Sequence, residues 1–260
     1  MSETTSPRIL IWDIENSPNL GWIWSKWQTD VISFEQDWFM LSAAWGWYDE
    51  SEIQVKGLDD FQDYKPGSTT DRNLVELARD LFDQADVVVA HNGVRYDTKK
   101  LQTRIAVHGL EPPSPFVEVD TLKIAKAKFA FTSNSLNDLC QFLGIGKKTP
   151  VGGFDTWEGC MRGDAKAWKL MKAYNKHDVV LLKDLYRRFQ PWAPKSGAPN
   201  FATISGNRRA CPRCGVQGKM IIRGYSHTGV SRAARMQCTS CGGYSRTRVL
   251  DRMEPTYVPA

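Results

Sequence analysis

The sequence predicts an α/β domain built on a mixed β-sheet, followed by a small β-rich module. Three observations carry that prediction. Short β-branched runs alternate with helical stretches up to about residue 190. A segment rich in Pro, Gly, Ser and Ala follows at 191–207 (PWAPKSGAPNFATISGN). Two CxxC pairs then fall within residues 208–260. The expected organisation is therefore a domain at 1–190, a linker at 191–207 and a module at 208–260.

The elements follow in chain order. ILIWDIE reads as a buried strand with acids at its end. Residues 40–48 and 52–57 read as the next two strands, joined by the turn-like Asp49-Glu50-Ser51. Thr70 or Asp71 can cap a helix over RNLVELARDLFDQA, where Leu74, Leu77, Ala78 and Leu81 recur at helical spacing. DVVVAHNG is a β-branched run closed by Asn-Gly. Asp97 opens a helix that reaches about His108 and stops at Gly109. PFVEVD is a short strand, and Asp120 caps the helix TLKIAKAKF. Ser135 caps LNDLCQFLG. VGGFDTWEG reads as a Gly-rich loop, and its Asp155 as structural. The longest helix is expected from about Ala165 to Phe189. MIIRGY and ARMQC read as strands of the C-terminal module.

Composition bounds the function. The 260 residues are 42% hydrophobic and include ten tryptophans, enough for a packed core. No stretch of apolar residues is long enough for a membrane span. The N-terminal MSETTSPR lacks the apolar core of a secretion signal, so a cytoplasmic protein is expected. The net charge of +5 is unevenly distributed. Residues 201–260 hold ten Lys+Arg against two Asp+Glu, a net of +8, whereas residues 1–200 hold 24 against 27, a net of −3. A basic module on a near-neutral domain points to a polyanionic partner, against the plainer reading of a solubilising surface.

The chemistry-bearing residues are Asp13, Glu15, Asp97, Tyr174 and Asp178. Asp13 and Glu15 are two apart on a strand and face the same way, so both can reach one metal. Mg²⁺ and Mn²⁺ favour such oxygen ligands. Asp97 follows VVVAHNGVRY at a helix start, where a simple N-cap is the competing reading. Tyr174 and Asp178 are four apart on a helix and share a face. Carboxylates gathered from distant segments suit two-metal phosphodiester chemistry.

Together these motifs resemble the DEDD, or DnaQ-like, superfamily of 3′–5′ exonucleases on the ribonuclease-H-like fold. Asp13-Ile14-Glu15 matches that family's first motif. Asn92, Tyr96 and Asp97 match the second. Tyr174 and Asp178 match the third in its tyrosine form; the histidine form requires His at position 173, which is Ala, and His177 lies at the wrong helical angle. The stretch DTLKIAKAKFAFTSNSLNDLCQFLGIGKKT resembles the proofreading domain of family-B DNA polymerases. The resemblance covers roughly residues 8–190, and no polymerase domain follows, as in short stand-alone members, some carried by phages. It implies two Mg²⁺ or Mn²⁺ ions held by Asp13, Glu15, Asp97 and Asp178, with Tyr174 positioning the nucleophile. Asn92 is expected to touch nucleic acid. The implied substrate is the 3′ end of single-stranded DNA and the product a nucleoside 5′-monophosphate, with a replication or repair protein as a further partner and the host cytoplasm as the location for a phage protein. Three alternatives stand beside this: a non-catalytic nucleic-acid-binding scaffold, a structure-specific endonuclease, and an RNA exonuclease.

Cys211-x-x-Cys214 and Cys238-x-x-Cys241, each followed by Gly, have the spacing of a closed tetrahedral Zn²⁺ site and resemble a zinc ribbon. Cys140 and Cys160 are expected as buried free thiols. Arg208, Arg209, Arg213, Arg223, Arg232, Arg235, Arg246 and Arg248, with Tyr225 and Tyr244, give the ribbon the means to bind nucleic acid, or alternatively to dock a protein. Trp22, Trp24 and Trp27 beside Lys26 form either a platform for bases or the packing face of an insert.

Overall fold

A computed structural model describes residues 7–27, 30–193, 199–228, 231–248 and 251–252. Residues 1–6, read above for a secretion signal, linker residues 194–198 and ribbon residues 253–260 lie outside the described residues. The chain divides into two compact units, one spanning Arg8–Tyr186 and the other running onward from Arg187.

The first unit opens with β1 (Ile9–Asn16) and a two-stranded hairpin, β2 (Leu20–Trp22) and β3 (Ser33–Gln36). β4 (Met40–Trp47) and β5 (Gln54–Gly57) complete an antiparallel meander. Helix α1 (Arg72–Asp83) leads to β6 (Val87–Ala90), and α2 (Asp97–Val107) to β7 (Val117–Asp120). Four helices follow: α3 (Thr121–Lys128), α4 (Leu136–Phe142), α5 (Phe154–Arg162) and α6 (Ala165–Phe189). The sheet runs β5-β4-β1-β6-β7, with β1 antiparallel to β4 and parallel to β6, which is parallel to β7. This is the expected mixed sheet flanked by helices. Its parallel strands all end at one edge, which gathers Asp13 and Glu15, the β6–α2 turn and Asp120.

Burial explains the composition of the strands. β4 and β6 are buried along their whole length, so they read as continuous apolar runs instead of alternating ones. Trp12 of β1 meets Phe82 of α1 edge-on at 4.4 Å, and Phe82 meets Phe116 at 5.0 Å. Such edge-to-face pairs add to their area burial. Cys140 and Cys160 are buried free thiols, as expected. Among the described residues no helix is long and apolar enough to cross a membrane.

Four expectations need correction or refinement. Asp71 sits at the N-cap of α1 but makes no capping bond. Its fully buried carboxylate instead accepts from Arg104 Nε (2.7 Å) and Nη2 (2.6 Å) and the Met40 amide (2.8 Å), and lies 2.5 Å from His108 Nε2. A buried charge is tolerable only when paired in this way. Residues 154–162 are a helix and not a Gly-rich loop, so Asp155 lies in the first turn of α5. Gly159 is inside that helix for packing: a Cβ there would come within 2.6 Å of Ala167 Cβ. The tryptophan insert does not pack against the sheet. Trp22, Trp24 and Trp27 are 63%, 85% and 86% exposed on and beyond the β2–β3 hairpin. Finally, within the segment expected as a linker, Phe201–Ile204 forms a helical turn, α7, capped by Asn200, with Phe201 buried.

The second unit is a sheet around β9 (Ser231–Cys238), which pairs antiparallel with β8 (Met220–His227), β10 (Tyr244–Arg246) and β11 (Asp251–Arg252). Gly215 and Gly242 adopt φ of 75° directly after the second cysteine of each pair. Their amides bond back to the Cys211 and Cys238 carbonyls at 2.9 Å, closing the two knuckles.

Candidate active site

The acidic site forms where β1 meets α6. Asp13 and Glu15 project from the same face of β1, opposite Ala44 and Ser42 of β4 in register. Tyr174, Asn175 and Asp178 come from the middle of α6. Carboxylate oxygens of Asp13, Glu15 and Asp178 all lie within 4.8 Å of one another. Asp97, buried at the first residue of α2, stands outside that trio, but its charge acts on Asp13.

Electrostatics make this cluster unfavourable when fully ionised and unneutralised. Burial, then Asp97, Glu15 and Asp178, push the Asp13 carboxyl well above its ordinary range. Burial and Asp178 push Glu15 to about 8, with a hydrogen bond from the Trp157 side chain pulling the other way. Burial raises Asp97 to about 7, helped by Asp120 and Glu118. Burial also raises the Tyr174 hydroxyl, to about 12. Asp178 Oδ1 is buried and has no hydrogen-bond partner among the described residues. Mutually repelling carboxylates and an orphaned buried oxygen fit a hard divalent cation, so Asp13, Glu15 and Asp178 can hold Mg²⁺ or Mn²⁺.

Four neighbours were not singled out in the sequence. Asn175, fully buried, donates from Nδ2 to Asp13 Oδ2 at 2.7 Å. Its Oδ1 accepts from Ser42 Oγ at 2.9 Å, which fixes the amide's orientation. Lys148 Nζ lies 2.5 Å from Asp178 Oδ2 and donates to the Tyr174 hydroxyl at 3.0 Å. Burial opposes the charge on Lys148, but Asp178 outweighs it and holds the ammonium above its ordinary range. Trp157, brought in by α5, meets the Tyr174 ring at 6.3 Å. Asn175 was legible, since it adjoins Tyr174 on a known helix. Lys148 lies in a loop, and nothing in its local pattern reveals its partner.

The remaining expected residues lie as follows. Asn92 takes a left-handed φ of 68°, and its amide bonds Asp120 Oδ1 at 2.9 Å. That carboxylate also caps α3 through the Leu122 amide. His177 faces outward to the Lys147 carbonyl at 3.0 Å. In the second unit the Sγ atoms of Cys211, Cys214, Cys238 and Cys241 lie within 4.8 Å of one another, a set suited to Zn²⁺. Arg213 is engaged with the Ala193 and Tyr244 carbonyls. Arg223 donates to Gln237 Oε1, and Arg235 to the Arg223 carbonyl. Arg232 stacks on the Tyr225 ring at 3.5 Å, so one aromatic face is already covered. Tyr244 is half-exposed on β10.

Comparison with known proteins bears on the fold. A sequence model of the RNase H superfamily matches residues 39–190. Among solved structures, the family B DNA polymerase from the hyperthermophilic archaeon Pyrobaculum calidifontis aligns with a TM-score of 0.50 at 16% identity. The alignment covers 89% of this chain and 34% of the polymerase, so the chain spans about a third of its length. That likeness is one of fold. No curated protein matches the sequence.

Proposed function

This chain belongs to the RNase H superfamily, and from that premise we propose that it is a metal-dependent 3′–5′ exonuclease acting on single-stranded DNA ends and releasing nucleoside 5′-monophosphates. The observation that carries the reading is the convergence of Asp13, Glu15 and Asp178 oxygens within 4.8 Å, beside Tyr174 and Asp97. A binding scaffold has no use for this arrangement, because unneutralised carboxylates repel a phosphate backbone.

Asp13, Glu15 and Asp178, with Asp97 in support, are the residues that would hold two Mg²⁺ or Mn²⁺ ions. Such ions, when bound, stabilise charge on the attacking and leaving oxygens of an in-line displacement. The chain's own residues do the rest. Asn175, oriented by Ser42, fixes the rotamer of Asp13. The Tyr174 hydroxyl keeps its proton at neutral pH, accepts from Lys148, and can offer its own hydrogen to Asp178 or to the attacking water. Lys148 is the counter-charge to Asp178 in the metal-free site and would be free to meet a phosphate oxygen once a cation takes its place. In the second unit the four cysteines would hold one structural Zn²⁺, and Arg223, Arg232, Arg235 and Tyr244 would offer nucleic acid a basic face.

The test is digestion of 5′-labelled and 3′-labelled single-stranded DNA with Mn²⁺, with Mg²⁺ and with EDTA, beside Asp13→Ala. A metal-dependent ladder from the 5′ label, with immediate mononucleotide release from the 3′ label, is the expected outcome. Internal fragments would make the protein an endonuclease. Preferential RNA digestion would change the substrate. Binding without cleavage of either polymer would leave a scaffold.

A further inference from the structure

The β2–β3 hairpin plays no part in the chemistry above, and its described residues expose a dense set of apolar side chains. Leu20, Trp22, Ile23, Trp24, Trp27 and Phe34 are all substantially exposed. An isolated two-stranded hairpin is marginal in water, and contiguous exposed apolar surface of this kind marks a binding site. Its position narrows the occupant. The hairpin is inserted between β1, which carries Asp13 and Glu15, and β4, which backs them. Its root is pinned two residues after Glu15: the Ser17 amide donates to the Phe39 carbonyl and the Phe39 amide to Ser17 Oγ, both at 2.9 Å. The Trp38 amide donates to Asn19 Oδ1 at 2.8 Å. From that root the chain can carry Trp24 no further than about 25 Å, a few nucleotides of an extended strand.

Charge narrows it further. Residues 17–38 hold Lys26 as the sole cation against Asp30, Glu35 and Asp37, a net of −2. Such a segment cannot neutralise phosphates, yet indole faces stack on bases of any sequence. Resting on the exonuclease reading, we infer that the hairpin is a base-stacking arm that grips single-stranded DNA through its bases as the strand enters the acidic site, while its acidic residues keep the backbone turned away.

The test uses full-length protein silenced by Asp13→Asn and fluorescence anisotropy with labelled oligothymidylate over a range of salt concentrations. Trp24→Ala with Trp27→Ala should lower affinity about tenfold or more. It should do so by the same factor at every salt concentration, because no phosphate contact is lost and the salt slope is unchanged. Trp24→Phe with Trp27→Phe should recover most of the loss. Unchanged affinity, or a flatter salt slope, overturns the inference. So does a change of the protein from dimer to monomer on gel filtration, which would make a second copy the occupant, or a loss seen only with an RNA oligomer. Digestion by the otherwise wild-type enzyme separates the two readings: metal-dependent cleavage with unaltered binding by the Trp variants sinks the arm alone. Absence of both cleavage and binding sinks the exonuclease reading with it.

Discussion

Loading the acidic site with Mn²⁺ should expel protons, and the number is set by the geometry around Glu15. In the metal-free protein Glu15 titrates at about 8 and Asp97 at about 7, with Asp13 raised as well. At pH 7 a carboxyl of pKa 8 is protonated about nine times in ten and one of pKa 7 about half the time. Glu15 and Asp97 alone then hold roughly one and a half protons in the empty site, and cation binding, which requires the ionised acids, releases them. The sign follows from the shifts. Folding raises these pKa values, so their contribution to the stability of the metal-free protein is full below the unfolded carboxyl range, about pH 4, and is lost as pH climbs through the folded values toward 8. Metal affinity runs the other way, rising about tenfold per pH unit for each proton displaced. Isothermal titration calorimetry at pH 7, in buffers of different ionisation enthalpy, counts the protons directly. Release of at least about one proton at pH 7, with the Glu15 and Asp97 share falling to about a tenth of a proton by pH 9, is expected. A heat of binding that is independent of buffer at pH 7 would refute the electrostatic account of the site.

Other perturbations separate ligands from supports. Asp13→Ala should lower turnover by about 10³-fold or more, an added barrier of about 4 kcal/mol, while melting near the wild-type temperature. Tyr174→Phe should cost less, about 10- to 100-fold in single-turnover rate, because it removes an orienting hydroxyl and no ligand. Asn175→Ala should weaken Mn²⁺ binding by about 10- to 100-fold, read by the same calorimetry, since Asp13 loses the amide that aims it. Gly159→Ala should destabilise the first unit by about 1–3 kcal/mol in urea unfolding, because α5 must back away from Ala167. Treatment with a thiol-blocking mercurial should release one zinc per chain, measured with a chromogenic chelator, and melt the β8–β10 amides in hydrogen exchange while sparing β1, β4 and β6.

The sequence made the sheet legible because its strands follow simple rules. Ile9–Trp12 and Val87–Val89 are unbroken apolar runs rich in β-branched residues, as expected of strands buried on both faces. Helix α6 was legible across its length because nothing interrupts it. Helix α5 was not, because Gly152, Gly153 and Gly159 outweighed the helical spacing of Phe154, Trp157 and Met161; Gly159 is required by contact with Ala167, information absent from any local window. The site shows the same division. The carboxylates were found through motif spacing. Ser42 and Lys148 were not, because each acts across long separations in the chain: 133 residues from Ser42 to Asn175 and 30 from Lys148 to Asp178. The exposure of the tryptophans could not be decided from sequence either, since apolar runs are written alike for packing and for binding.

The bond between Asn175 and Asp13 joins residues 162 apart. Contacts of such separation carry a larger loop-closure cost than those within the local meander. A chain still emerging from the ribosome carries Asp13 and Glu15 early but gains Tyr174, Asn175 and Asp178 only when most of the first unit has been made. The acidic centre is therefore complete only once α6 is in place, so on the exonuclease reading a nascent chain still lacking α6 has no means of cutting the nucleic acids around it. On that reading the order of synthesis acts as a safety catch.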